Sequence, residues 1–319
     1  MKVSRQKRLT REFFDAVSAE WFERTYDPRR EYRKFPSNRV RMEVALGEIG
    51  RFGARGPVLD VGCGTGELVI ALLKQKRRTV GIDVSGRMID IARRNLTRSR
   101  ISADPAKTFI ASDLDQFRPA GRAVFRAATA LGLLEYLETD GALFAFLRRV
   151  LARRGLAFVE CRNKFFNLFS QNRYTADLAR RKGFAELLAE FVGADRFSRL
   201  PASAIPPIYA GVLRRTSAFL ARAAHDRAWL DTRVPAYSAY PQKMVRRQHT
   251  PGQLARSADR FGFKLRYVVY WHAHPFPPSY EKRFPRIFNR LAVLMGPLGH
   301  TPLGAWLCSS FLAVLERVR

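Results

Sequence analysis

Three closely spaced glycines, Gly62, Gly64 and Gly66, follow a short apolar run in Val58-Leu-Asp-Val-Gly-Cys-Gly-Thr-Gly-Glu-Leu68, and a carboxylate, Asp83, ends the next apolar run in Val80-Gly-Ile-Asp-Val-Ser85. Glycines lack the Cβ atoms that keep backbone away from a ligand, and they permit a tight strand-to-helix turn. A carboxylate about twenty residues further on, at the end of the following strand, can accept hydrogen bonds from both hydroxyls of a ribose. These types at this spacing describe a nucleotide-cofactor site. Spacing also argues against NAD and FAD. A dinucleotide fingerprint needs glycine or alanine three residues after the second glycine, beneath the pyrophosphate; Glu67 stands there instead, and its charge would repel that group.

The elements that must position these residues alternate. Residues 58–61 read as a strand, the glycines as its turn into a helix, and residues 80–84 as a second strand. Residues 107–113 read as a third short strand ending in Ser-Asp-Leu, with Asp113 followed by Leu114, and residues from 125 as a fourth, leading through Ala130 and Leu131 to a turn holding Glu135 and Tyr136. Residues 140–151 have the amphipathic spacing of a helix, and after an Arg-Gly stop signal residues 155–160 form a fifth strand. Strict alternation predicts a parallel sheet covered on both faces. Further on, residues 250–262 have an N-cap threonine, proline at the first helical position and a closing glycine. Residues 264–270 are a sixth strand and 309–317 a last one.

The run LDVGCGTG, in register with the acid of GIDVSGRMI and with the Ser-Asp-Leu that follows, resembles the class I S-adenosylmethionine-dependent methyltransferases. That resemblance implies a doubly wound, mostly parallel seven-stranded α/β sheet of Rossmann-like form whose last strand is antiparallel. It implies S-adenosylmethionine as cofactor, held by Asp60, Gly62, Cys63, Gly64, Gly66, Asp83, Val84, Met88, Asp113, Leu114, Ala130 and Leu131, with Asp113 accepting from the adenine amino group. The stretch around strand four departs from the family pattern at Arg126, where an Asp is common. Residues 13–49 read as two helices resembling the N-terminal lid of small-molecule methyltransferases, in which Arg41, or Arg39, would pair with the cofactor's carboxylate. The C-terminal half, with FFNLFSQNRYT and WHAHPFPPSYE, is loosely similar to methyltransferases associated with bacterial glycan or lipid biosynthesis.

Length and composition accommodate this plan. The 319 residues, 47% of them hydrophobic, can bury one sizeable core and an accessory part. The expected organisation is an N-terminal helical lid over 1–50, a cofactor-binding core over 51–161, a helical cap insertion over 162–247, and completion of the sheet over 248–319 with a second insertion at about 275–307. No apolar run reaches the roughly eighteen residues of a membrane span, and the basic start lacks the apolar core of a signal peptide, so a cytoplasmic protein is expected. Cys63, Cys161 and Cys308 are too scattered for a disulfide framework or a zinc site. The net charge of +29 comes largely from arginine pairs spread along the chain. A solvated surface is the plain reading of it; peripheral contact with anionic membrane is the first functional one, and nucleic acid the less favoured, since no aromatic-studded basic strip is present.

Methyl transfer is an in-line displacement, so a protein must mainly align the reactants and exclude water. A hydroxyl acceptor would also use a general base. His272 and His274, alternating to one side at the end of strand six, are candidates, as are Glu135, Tyr136 and His249. Each has a structural alternative: the histidines as packing neighbours of Trp271, Glu135 as a helix cap. A His-x-His pair could ligate metal, but no acidic partner is spaced to complete a site, and no metal is expected. The function expected is methyl transfer to a small-molecule or lipid- or sugar-linked acceptor, at oxygen. RNA methylation and a non-catalytic cofactor-binding subunit are the alternatives. Phe165, Phe166, Phe169 and Tyr174 suit either an apolar substrate or the core of the cap.

Overall fold

The computed structural model describes residues 4–27, 35–53, 56–119, 124–170, 172, 174, 175, 178, 183–192, 246–281 and 283–318. The Pro-rich stretch 200–207 and most of the expected cap lie outside these residues. Strands β1 (Val58–Val61), β2 (Thr79–Asp83), β3 (Phe109–Ala111), β4 (Phe125–Ala130) and β5 (Leu151–Arg162) pair in parallel. With β6 (Phe263–Ala273) and β7 (Cys308–Arg317) they make one seven-stranded sheet of order β3-β2-β1-β4-β5-β7-β6, in which β7 runs antiparallel to both neighbours. The doubly wound α/β architecture expected from the sequence is the one found.

Helices α1 (Arg5–Val17), α2 (Trp21–Thr25) and α3 (Ser37–Arg51) precede the sheet; α4 (Glu67–Lys74), α5 (Gly86–Arg98), α6 (Pro105–Thr108) and α7 (Asp140–Val150) connect its parallel strands. Then come α8 (Phe184–Val192), α9 (Pro251–Asp259), and, between β6 and β7, α10 (Pro285–Leu294) and α11 (Pro302–Leu307). All four residues of β1 are buried because helices cover both faces. Leu59 and Val61 pack on one side with Phe144 and Leu147 of α7, while Val58 packs on the other with Ile49 of α3 and Leu72 of α4. Each such side chain removed from water contributes on the order of 1.5–3 kcal/mol.

Local boundaries differ from the sequence reading for identifiable reasons. The first helix begins at Arg5, capped by the Ser4 hydroxyl, well before Phe13. Asp104 caps and Pro105 starts a short helical turn, so Lys107 precedes β3 and does not belong to it. The Arg-Gly pair expected to stop a helix lies inside β5, where Phe125 pairs with Leu151 but Ala127 with Leu156. The extra residues form a bulge in which Arg154 takes a φ of 60°. Strand β6 runs on past Tyr270 and carries His272 within it. The second insertion is seated directly on β6: Gly299 approaches so closely that a Cβ there would strike the Tyr270 carbonyl oxygen. Among the described residues, no helix is long and apolar enough to cross a membrane.

Helix α9 supplies a measurable check on local stability. The Thr250 hydroxyl accepts from the Gln253 amide at 3.0 Å and donates to Glu190 of α8, and the Thr250 amide donates to the Gln253 side-chain oxygen at 3.2 Å. Thr250→Ala removes both hydroxyl bonds at a fully buried cap. Urea unfolding should show a loss of about 1–2 kcal/mol with an unchanged slope; an unaltered midpoint would show that the cap is energetically idle.

Candidate active site

A cavity of about 710 Å³ opens at the carboxyl ends of the parallel strands and continues under the N-terminal helices to the end of β6. At one end, Gly62, Cys63 and Gly64 form its floor, followed by Asp83, Val84 and Met88 and then by Asp113 and Leu114. Leu131, Glu135, Tyr136 and Arg41 line the middle, and His272 and His274 the far end.

The glycine loop and Asp83 are built as one unit. Gly62 and Cys63 amides donate to the Ile82 carbonyl at 2.8 and 3.0 Å, which lays the loop across the end of β2. The Gly64 and Ser85 amides then donate to the two Asp83 carboxylate oxygens at 3.0 and 2.8 Å. Burial pushes the Asp83 carboxyl upward, and these amide bonds oppose it. Gly66, with a φ of 88°, begins α4; a Cβ there would stand 2.6 Å from the Phe109 ring. Helix α1 closes over this end: the Ser85 hydroxyl donates to Asp15 at 2.5 Å, and the Lys7 ammonium meets Asp113 at 2.5 Å. Burial raises the Asp113 carboxyl, but bonds from Lys7 and from the Gln116 and Asp115 amides outweigh it and hold it below the usual range.

Three residues expected at the ligand stand behind the cavity wall and do not line it. Asp60 is buried beneath the loop and accepts from the Thr129 hydroxyl at 2.6 Å, with burial lifting its carboxyl to about 7 against that bond. Gly66 serves the turn, and Ala130 belongs to the core. Glu67, which argued against a dinucleotide, is held locally by the Thr65 hydroxyl at 2.6 Å.

The middle of the cavity holds a group that the motif reading missed. Glu160, 4% exposed on β5, accepts from the Gly132 amide at 2.8 Å and from the Arg41 guanidinium at 3.5 Å. Burial pushes the Glu160 carboxyl up, and Arg41 opposes it. Gly132 takes a φ of 65° and lies against Arg41 so closely that a Cβ would collide with the guanidinium. Arg41 also bonds Tyr26. Arg39, the other candidate, faces Glu43 at 4.0 Å on α3. The signal for Glu160 was present: like Asp83, it is a carboxylate toward the end of a buried apolar strand.

At the far end, His272 and His274 do come to one side, with ring centroids 4.3 Å apart. The His272 ring stacks on Phe35 at 4.1 Å, and its Nδ1 shares a 2.9 Å hydrogen bond with the Ser309 hydroxyl. Its backbone φ of 61° is a strained conformation for a non-glycine residue. His274 lies 4.6 Å from the Phe166 ring and 5.6 Å from Phe288. His272 Nε2 and both ring nitrogens of His274 are buried with no partner among the described residues, as are Trp271 Nε1 and Asn38 Nδ2, and all four residues line the cavity. Burial, then Arg162, depresses His272 to about 3; burial, then His272, depresses His274 well below the ordinary value. Both imidazoles are therefore neutral near pH 7.

Glu135 is committed elsewhere. Arg246 grips its carboxylate at 2.9 Å and Arg162 approaches at 3.6 Å, so it anchors two arginines at the wall and is not a free base. Tyr136 packs edge-on to Phe14 at 5.3 Å, with Arg246 over its ring at 5.6 Å. His249 is outside the cavity lining; it bonds Asp140 at 2.9 Å, and Asp140, raised by burial but lowered more by His249 and Arg247, titrates at about 2. The aromatics after β5 divide: Phe165 packs into the core against Phe191 at 5.4 Å and Phe169 against Trp306 at 5.1 Å, whereas Phe166 and Tyr174 line the cavity.

Residues 58–155 match the family model of a methyltransferase domain. They are a class I methyltransferase domain. Ubiquinone biosynthesis O-methyltransferase of Actinobacillus pleuropneumoniae serotype 7 (strain AP76) is 26% identical over 153 residues, covering 47% of this chain and 63% of that protein. The namesake from Xylella fastidiosa (strain 9a5c) is 32% identical over 132 residues, covering 41% and 51%. The chain thus spans between half and two thirds of the length of these curated relatives. Among solved structures, the [4+2]-cyclase SpnF is similar at a TM-score of 0.55 and 15% identity over 99% of this chain and 97% of that one. Magnesium protoporphyrin IX methyltransferase from Synechocystis PCC 6803, with bound SAH, reaches 0.53 and 14% over 98% and 99%. These likenesses extend the fold beyond the methyltransferase domain to the described residues on either side of it.

The neutral histidines have a thermodynamic signature. An unfolded histidine takes up a proton near pH 6.5, and buried His274 does not, so its contribution to stability is complete above that pH and is lost as pH falls below it. Asp60 acts oppositely, since its raised carboxyl favours the folded state as pH falls from about 7. The difference between proteins isolates the imidazole: between pH 7.5 and 5.5, the wild type should lose about 1.4 kcal/mol more unfolding free energy than His274→Phe. Parallel pH profiles from urea titration would mean that His274 charges freely in the folded protein.

Proposed function

We propose that this chain uses S-adenosylmethionine to methylate a hydroxyl of a small-molecule acceptor bound at the far end of the cavity. The observation that carries this reading is the continuity of one cavity from the Asp83 loop to the pocket of His272, His274 and Phe166. The matched family and the curated relatives, which are named as O-methyltransferases, support it. The site fits the cofactor: Asp83 sits in the wall with its orientation fixed by two backbone amides, and a Cβ at Gly132 would close the space beside Arg41.

Asp83 would hold the ribose hydroxyls, Arg41 the carboxylate, and the Asp113–Leu114 segment the adenine edge. When bound, the cofactor supplies an electrophilic methyl group on a sulfonium. Phe14 and Trp21, in edge contact at 5.5 Å in the lid, cover the reacting region and keep water from it. The neutral His272 and His274 imidazoles, through His272 Nε2 and a ring nitrogen of His274 that have no partner among the described residues, accept a hydrogen bond from the acceptor hydroxyl and orient its oxygen. Their depressed basicity assigns them to positioning more than to complete proton removal. Glu135, bound between Arg246 and Arg162, keeps those arginines directed along the wall.

Asp83→Ala removes two charge-assisted hydrogen bonds worth together on the order of 3 kcal/mol, and calorimetry should show S-adenosylhomocysteine binding weakened roughly a hundredfold. Unchanged affinity would refute the ribose assignment, and tight NADH binding by the wild type would refute the cofactor. With a labelled methyl donor and fractionated cell extract, label should enter low-mass material and be released by cleavage of an O-methyl ether or ester. Label recovered in RNA would replace the small-molecule acceptor with a nucleic acid. His274→Phe should leave S-adenosylhomocysteine affinity within about twofold while lowering turnover at least tenfold, a split expected of a group that touches the acceptor alone.

A further inference from the structure

The segment between β6 and β7 carries a surface that the cavity chemistry does not use. Helix α10 buries Phe288, Asn289 and Ala292 against the protein, yet its outer side is also apolar. Leu294 is 74% exposed, Ile287 60% and Phe284, just before the helix, 50%. Positions 284, 287, 291 and 294 recur at helical spacing and form one outward stripe with Leu291, which is part-exposed. Beside it runs a second stripe, Arg283, Arg286 and Arg290, all exposed, with the Arg283 guanidinium 5.4 Å over the Phe284 ring. Phe276 and Tyr280, also exposed, continue the apolar face, with ring centroids 6.1 Å apart. From residue 282 to residue 315 the sequence contains no Asp or Glu.

A soluble face has no reason to expose five large apolar side chains alongside a row of arginines. Aromatic and aliphatic groups flanked by guanidinium groups match the boundary of an anionic bilayer, where the apolar stripe enters the acyl edge and the arginines reach phosphates. The segment is seated on β6, where Gly299 lies directly against the Tyr270 backbone. Two of its residues, Pro278 and Glu281, also line the cavity. We propose that the face formed by Phe276, Tyr280, Phe284, Ile287 and Leu294, with Arg283, Arg286 and Arg290, docks on an anionic lipid bilayer. The consequence for chemistry, a lipid-soluble acceptor entering from the membrane, rests on the methyl-transfer reading; the docking itself does not.

Co-sedimentation with vesicles of phosphatidylcholine containing about one quarter phosphatidylglycerol tests this at low salt and at half-molar salt, where the Debye length falls to a few ångströms. The full chain should sediment with these vesicles at low salt, bind neutral vesicles far more weakly, and be released by salt. Ile287→Ser with Leu294→Ser should weaken binding at least tenfold. Arg283→Gln with Arg290→Gln should weaken it by about thirtyfold, as each basic residue at such a surface contributes a factor of about five. Neither pair lines the cavity, and unchanged thermal unfolding will show that both variants fold. Wild-type affinity in both variants overturns the proposal. So does a concentration-dependent dimer abolished by Ile287→Ser with Leu294→Ser in the absence of vesicle binding, which gives the face to a second copy, or salt-sensitive RNA capture with no affinity for vesicles. Failure of the wild type to bind S-adenosylhomocysteine would defeat the methyl-transfer reading and leave the vesicle result standing.

Discussion

A buried ion pair ties this site together. Glu160 on β5 reaches back to the Gly132 amide in the turn after β4 and outward to Arg41 on the lid helix α3, so one carboxylate joins strand, turn and lid across the cavity. Taking both charges out of water is costly, and a pair of this kind is weak evidence for added stability. What it confers is conformational definition: with either partner absent, the other would be left charged and unpaired in a buried site, a penalty of about 3–5 kcal/mol. The pair therefore holds the N-terminal helix α3 to the end of β5 and to the turn after β4. Gly132 is part of the same constraint, since its missing Cβ is what lets the guanidinium lie over the turn.

From that pair outward the cavity sorts its charge. At the glycine-loop end Asp83 has two amide donors and Asp113 has Lys7, and in the middle Glu160 has Arg41. In the middle Glu135 pairs with Arg246 and Arg162 and offsets one of their two charges, while at the β6 end His272 and His274 are uncharged among Phe35, Phe166 and Phe288. A ligand with a cationic centre and polar ends suits the first half, and an apolar molecule with one hydrogen-bonding group suits the second. The strained backbone at His272 is a cost that the surrounding packing sustains, as strained residues at working sites generally do.

The strands, their mostly parallel sheet and the glycine loop with Asp83 were legible because they rest on local patterns: apolar runs of strand length, glycines at a turn, an acid at a strand end. The parts that were not legible depend on distant partners. Asp60 stands in the middle of the motif, yet Thr129, sixty-nine residues on, holds it away from the cavity lining. Glu135 has the position of a catalytic acid, and only the return of the chain at Arg246 shows that it is clamped. His249 had the same chemistry as His272 in the sequence and was separated from it by Asp140. The bulge in β5 was hidden because Arg-Arg-Gly reads locally as a helix stop, whereas pairing with β4 carries the strand through it.

The fold alone leaves the chemistry open. The same architecture serves a protein described as a [4+2]-cyclase and another described as a porphyrin methyltransferase, each covering nearly the whole chain at about 15% identity or less. What differs among such proteins must lie in what is added at the carboxyl ends of the strands. Here the additions are the N-terminal helices and the segment between β6 and β7, and both reach the same cavity. The second of these serves two surfaces at once: Phe288 packs inward against His274, while Ile287, one residue away, faces solvent. Consecutive positions on α10 thus face the cavity-lining His274 and the solvent, so the side of the helix on which a residue stands decides which of the two environments it serves.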